Sequence, residues 1–337
     1  MLRRITGMLC RLTYRQWAII GSVLVIAISA AEWWKWHRTA TVVRHICGNN
    51  GAINHRSNTL GPKWLQANVP AWIRDNYLTM PHTVRISAST PTADSLLSDL
   101  RWIPTLRSLT VWPPRDERRE PIPWSERLRS VSRIAQLREL NLQGSKVVDK
   151  DLAPPGTLSR LQMVNLSNTE VGDAGLRVLL PLRYLSKVSI GSTKVTDAAM
   201  TVLSQFPNLD ELDLSDTAIT DGGLADLTGL RKLRSIALRK TRITDRGLVI
   251  LSRFPALERI DLRETRINDA GLEALTRLKH LRWLGLDQTS ITDAAIPHLI
   301  RIEGLQELTM LGTQVSDDGF MQFARARPSV TLPLPYR

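Results

Sequence analysis

The sequence predicts an α/β solenoid: a horseshoe of stacked strand–turn–helix units with a concave parallel β-sheet and convex helices. Three columns of residues carry that reading. A hydroxyl side chain recurs every 24 residues at Ser145, Thr169, Thr193, Thr217, Thr241, Thr265, Thr289 and Thr313. Four residues after each stands an acid: Asp149, Asp173, Asp197, Asp221, Asp245, Asp269, Asp293 and Asp317. Eight residues before each stands a leucine: Leu137, Leu161, Leu185, Leu209, Leu233, Leu257, Leu281 and Leu305. A fixed period of this length belongs to a chain whose units bury their apolar sides only against their neighbours.

Within one unit the apolar period changes. Leu212 and Leu214 alternate with Glu211, Asp213 and Ser215, which is a strand with one buried face. Leu224, Leu227 and Leu230 then follow at helical spacing. Between the two, Thr220 or Asp221 is placed to cap the helix, because a short side-chain oxygen accepts from the first free N–H groups. The acid also suits the positive end of the helix dipole. Gly175, Gly223, Gly247, Gly271 and Gly319 permit close approach between turns, although Ala199 and Ala295 show that a methyl is tolerated.

The unit reads L-x-x-L-x-L-x-x-T-x-I-T-D-x-G-L-x-x-L, best seen from Leu209 to Leu227. It resembles the leucine-rich repeat, with Thr where that family more often has Asn or Cys. The length and the T-D-x-G-L segment resemble subtypes whose outer side is helical. The repeat is also similar to that of F-box ubiquitin-ligase adaptors. Here Thr replaces their Cys, no F-box-like helical segment precedes the repeats, and the N-terminus argues against that role.

The rest of the chain divides around residues 137–320. Residues 1–16 hold Arg3, Arg4, Arg11 and Arg15 and no acid. Trp17 to Ala31 is an uncharged, mostly apolar run, and extension to Trp36 reaches the roughly 20 residues that a helix needs to span a bilayer. Tryptophans mark both ends, and Lys35 can snorkel. Residues 17–36 are therefore expected to be a transmembrane signal-anchor. The preceding arginines place the N-terminus in the cytoplasm and the repeats on the extracytoplasmic side of the inner membrane. A cleaved signal peptide ending at Ser29-Ala30-Ala31 is the rival reading.

Residues 37–47 continue as a juxtamembrane helix until the glycine-rich stop at Gly48 to Gly51. Up to residue 80 a small irregular region follows, with Trp64 and Trp72 as its core. The basic leader, the short apolar helix, GPKWLQ and IRDNYL before the repeats resemble planctomycete-type membrane-anchored leucine-rich-repeat proteins. That resemblance implies a location, not an activity. Residues 81–136 form an N-terminal cap from two degenerate repeats, around Val84-Arg85-Ile86 and around Leu106, Leu109 and Val111. A charged, proline-rich insertion, Pro113 to Pro121, is an exposed loop or a partner contact. Residues 321–337 form the C-terminal cap, with Val330, Leu332 and Leu334 alternating and Pro333 and Pro335 suiting an edge strand.

Chemistry is sparse. The chain carries a net charge of +13, but residues 1–130 supply +10 of it, so the high pI is no argument for nucleic acid. Cys10 and Cys47 lie on opposite sides of the expected span and cannot bridge. The histidines form no zinc motif, and no phosphate loop or nucleophile elbow is present. The Asp column invites a calcium reading, but no repeat supplies the several oxygens that calcium needs at one point. No catalytic residue, metal site or cofactor is expected.

A binding surface is expected instead. The outward strand positions lie six, four and two residues before each hydroxyl. They hold Asp213, Arg239, Arg259, Asp261, Arg263, Trp283 and Asp287, a candidate ligand patch on the concave face. Arg and Trp are the types most enriched at hot spots. Arg259 and Trp283 are equivalent positions on adjacent strands and could equally be stacked on one another. Asp216, Lys240 and Glu264 could form a self-paired ladder of alternating sign. The expected function is a non-catalytic scaffold gripping a protein partner, with envelope polysaccharide, stacked on Trp283, as the alternative.

Overall fold

The computed structural model describes residues 52–59, 79–87, 93–103, 105–113, 123–152 and 158–332. The basic leader, the apolar run at 17–36, the helix expected at 37–47, Trp64, Trp72, residues 114–122 of the insertion and residues 333–337 lie outside them. Among the described residues no helix is long and apolar enough to cross a membrane.

Eleven strands form one open sheet in strict sequence order. The first two are β1 (Ala52–Thr59) and β2 (Thr79–Ser87), and the third is β3 (Ser108–Trp112). Eight three-residue strands follow at intervals of 24: β4 (Glu139–Asn141), β5 (Met163–Asn165), β6 (Lys187–Ser189), β7 (Glu211–Asp213), β8 (Ser235–Ala237), β9 (Arg259–Asp261), β10 (Trp283–Gly285) and β11 (Glu307–Thr309). From β2 onward every pair is parallel and in register, so Val84, Leu109, Leu140, Val164, Val188, Leu212, Ile236, Ile260, Leu284 and Leu308 line up as one inward row. All of that row is buried, as are Leu224, Leu227 and Leu230 on the helical side. Neighbouring turns thus share one continuous core, which is how a solenoid buries apolar surface that no single unit can hide.

The strand β1 corrects the expectation of an irregular region between residues 48 and 80. It pairs antiparallel with β2, Ala52 opposite Arg85 and Thr59 opposite Thr79. Its sequence, AINHRSNT, lacks the apolar alternation of a half-buried strand. Pairing, not side-chain pattern, makes it a strand: it covers the edge of the first parallel strand, whose backbone groups would otherwise be bare.

Each turn closes in the same way. The column hydroxyl donates to the carbonyl three residues earlier at 2.5–2.8 Å, from Ser145 onto Leu142 through to Thr313 onto Met310. The residue just before it takes a left-handed conformation in every repeat. Only Gly144 and Gly312 are glycine there; Asn168, Ser192, Asp216, Lys240, Glu264 and Gln288 hold φ of 52–59°. Side chains with a Cβ are strained in that region.

The acid column works between repeats. Thr196, Thr220 and Thr292 are N-caps whose hydroxyls accept from the N–H two residues on. Asp221, at the first helical position, reaches forward instead: its carboxylate accepts from Thr244 N at 3.0 Å and Thr244 Oγ1 at 2.5 Å. The link recurs from Asp173 to Thr196, Asp197 to Thr220, Asp269 to Thr292 and Asp293 to Ser316. Asp149 and Asp245 bond only the backbone N–H, of Gly172 and Asn268. The threonine thus caps its own helix, and the aspartate joins it to the next turn. The glycines follow from this: a Cβ on Gly223 would lie 2.4 Å from the Asp197 carboxylate and 3.0 Å from its Cα.

The convex side is less regular than expected. Asp245–Leu251 and Asp317–Ala326 are the longer helices of the repeats, while Asp173–Leu176 and Asp269–Leu272 are single turns continued by 3-10 helix. At the far end Val330 is buried and Thr331 bridges to Glu307 beyond β11. Arg327 closes the last turn, donating to the carbonyls of Ile300, Ile302 and Glu303 at 2.8–2.9 Å.

Candidate functional site

The parallel register brings the outward positions of β7 to β11 together on the concave face. Trp283 pairs with Arg259 on one side and Glu307 on the other. Its ring lies down along its own strand over Gly285: a Cβ added to Gly285 would meet the indole at 2.7 Å. The guanidinium of Arg259 stands 4.8 Å from the ring centroid and that of Arg263 5.8 Å. Both distances fall within the range of a cation–π contact. Arg259 and Trp283 are thus stacked on one another, as their equivalent positions allow.

The other candidates are tied to their own scaffold. Arg263 makes a bidentate pair with Asp261, Nε to Oδ1 at 2.8 Å and Nη2 to Oδ2 at 2.6 Å. That hydrogen-bonded carboxylate raises the guanidinium pKa above its usual value. Asp261 also accepts from Arg263 N, and Asp213 from Ser215 N. Asp287 crosses to the next strand, accepting from Thr309 Oγ1 at 2.9 Å and Leu311 N at 2.6 Å. Arg239 pairs with Glu264 at 2.5 Å.

The alternating ladder forms at one rung only. Lys240 pairs with Asp216 at 3.2 Å, while Glu264 turns to Arg239 instead. The hydrogen bonds from Lys240 and Ser192 hold the Asp216 carboxyl below its usual pKa. Farther along the face Lys187 and Glu211 pair across β6 and β7, and that contact raises the lysine pKa. The three aspartates of the candidate patch therefore spend their oxygens on the protein. Its outward groups outside any ion pair are Arg259 and the Trp283 ring.

Beside them lies a recess of about 270 Å³, lined by Glu258, Arg259, Arg282, Trp283, Gln306 and Glu307. Arg282 and Gln306 were not among the sequence candidates, because they sit one residue before their strands, outside the two-residue alternation. The signal that could have found them is the three-strand register itself, which sets residues 258, 282 and 306 side by side. Among the described residues no group of His, Cys, Asp and Glu is arranged to hold a metal ion.

The family described as Leucine Rich repeat matches residues 207–227 and 255–275. No curated protein matches the chain by sequence. Among solved structures it is similar to an internalin (InlF) of Listeria monocytogenes, with 18% identity, 71% of each chain covered and a TM-score of 0.54. Internalin C2 of the same organism covers 60% of this chain and 83% of its own, at 22% identity and a TM-score of 0.45. Repeat, register and matched segments agree on the architecture: in-register repeats similar to the leucine-rich repeat, stacked from β2 onward into an open parallel sheet.

Proposed function

We propose that the chain is a non-catalytic scaffold that grips a protein partner on its concave face, centred on Trp283 and Arg259. The observation that carries the reading is the indole laid flat over Gly285 beneath Arg259, beside an open recess. An aromatic ring fixed before binding loses little entropy when a partner covers it, which is what makes a contact strong. Tethering by residues 17–36, with the repeats on the outer side of the inner membrane, belongs to the same proposal and rests on the apolar run and its flanking arginines alone.

The test is a photo-crosslinking residue placed at position 283 or, as a control, at convex Val249, in cells. The expected result is a discrete adduct from position 283 that disappears with R263A and never forms from position 249. Equal labelling from both positions would sink the reading. Protease shaving of spheroplasts checks the topology: release of the repeat body from intact spheroplasts supports it, and protection until lysis reverses it. A second reading, an envelope polysaccharide stacked on Trp283, draws on the same ring and the polar recess. Calorimetry with cell-wall saccharides separates the two, since sugar binding that vanishes with W283A would favour it.

A further inference from the structure

The in-register stack gives the solenoid two long edges, and they differ in charge. One edge is formed by the turns that lead from helix into strand. In the last four repeats these are residues 228–234, 252–258, 276–282 and 300–306, which hold eight Lys and Arg against two acids, Glu258 and Glu303. The other edge is formed by the turns that leave the strands, residues 240–246, 264–270, 288–294 and 312–318. It holds four Lys and Arg against six acids. A modest excess over the whole repeat body is therefore sorted into a basic edge and an acidic edge.

The basic edge is poorly neutralised. Arg231, Arg253, Arg277, Arg282 and Arg301 are all exposed, and none makes an ion pair or hydrogen bond through its side chain among the described residues. The two acids there are held loosely, Arg234 to Glu258 at 3.6 Å and Lys279 to Glu303 at 3.8 Å. Arg253, Arg277 and Arg301 occupy one equivalent position in three consecutive turns, so their guanidinium groups form a row along the edge.

We infer that this edge binds an extended acidic polypeptide segment. Six of the eight cations are arginine, whose planar fork matches a carboxylate in two hydrogen bonds. Adjacent strands stand about 4.8 Å apart, and same-side residues of an extended chain repeat about every 6.7 Å, within the reach of side chains as long as arginine and glutamate. Two other polyanions fit less well. The edge turns of these repeats present no exposed Phe, Tyr or Trp on which a base could stack, Phe254 being buried. They also present no large exposed apolar residue to enter a lipid surface, since Trp112, Val249 and Met321 lie off this edge and Leu180 and Tyr184 stand two repeats earlier along it. The chain moreover enters the sheet at the opposite edge, where Ala52 pairs with Arg85 near the end of β2. The inference takes only the class of partner from the proposal above and uses the strand-start edge, which meets the concave site where Glu258, Arg282 and Gln306 line the recess.

The test uses the full chain purified in detergent micelles and fluorescently labelled poly-L-glutamate as the probe. Binding is expected, weakening steeply as salt rises from about 0.1 to 1 M, over which the Debye length falls from about 10 to 3 Å. The triple substitution R253S/R277S/R301S should weaken it about tenfold or more, equivalent to about 1.4 kcal/mol. The matched control R242S/R246S/R266S removes as much charge from the other edge and should leave it within about twofold, or about 0.4 kcal/mol. Equal loss in both variants would mean that net charge alone is read, and would overturn the inference. So would poly-dT or phosphatidylglycerol vesicles binding while polyglutamate does not. W283A/R263A separates the two proposals: it removes the concave contact and should leave polyglutamate binding intact.

Discussion

The two edges of the solenoid have the same number of turns and opposite rules. Where the strands end, seven of the eight acid-column residues from Asp149 to Asp317 bond a polar group one turn onward in the regular way, through a backbone N–H and most often a hydroxyl. Asp221 bonds both groups of Thr244, and Asp269 both groups of Thr292. Where the strands begin, Arg231, Arg253, Arg277, Arg282 and Arg301 stand exposed and without a side-chain partner among the described residues. One edge is spent on holding the stack together, and the other is left for something outside it. A repeat can vary only where the next repeat does not read it.

The sharpest test of that contrast sets two adjacent glycines against each other. G223V drives a branched side chain into Asp197 and its backbone, and should cost about 3 kcal/mol or more in urea unfolding. G222A meets only ordinary contacts, 3.4 Å or more away, and should be neutral or gain about 0.5 kcal/mol. Equal effects would mean that the inter-turn contact is not tight.

Next in size is D221A, which leaves Thr244 N–H and hydroxyl without their acceptor and should cost about 2 kcal/mol by the same measurement. R277S on the other edge should stay within about 0.5 kcal/mol of wild type. A large loss there would break the comparison.

Acid should act on the strand-end edge first. Hydrogen bonds from Ser316, and from Lys240 and Ser192, hold the carboxyls of Asp293 and Asp216 below their usual 3.8. Folding therefore favours their ionised forms. The stability they contribute is present at neutral pH and is lost as pH falls through the depressed folded-state values. Thermal melting should be flat from neutral down to about pH 5 and decline below about 4, and D293N should shallow that decline.

The smallest effect belongs to the left-handed turn position. Q288G relieves a Cβ at φ 56° and should raise stability by up to about 1 kcal/mol, whereas G312A, at φ 68°, should lower it.

Much of this body was legible in the residues. A 24-residue period, alternating leucines and a helical leucine spacing dictate strand, turn and helix, because burying a fixed set of apolar side chains leaves no other regular solution. The outward register was legible too, and with it the meeting of Arg259 and Trp283. Three things were settled only by the stack. The strand β1 has no pattern of its own and exists because β2 needs an edge partner. Arg327 reads as one more surface arginine until the last turn brings three carbonyls to its guanidinium. Asp213, Asp261 and Asp287 look free in sequence, yet local turns and the next strand take up their oxygens. Sequence determined which face each residue takes, since that follows from periodicity within a turn. Tertiary structure decided which of those residues remain unsatisfied, since that depends on groups one full turn away.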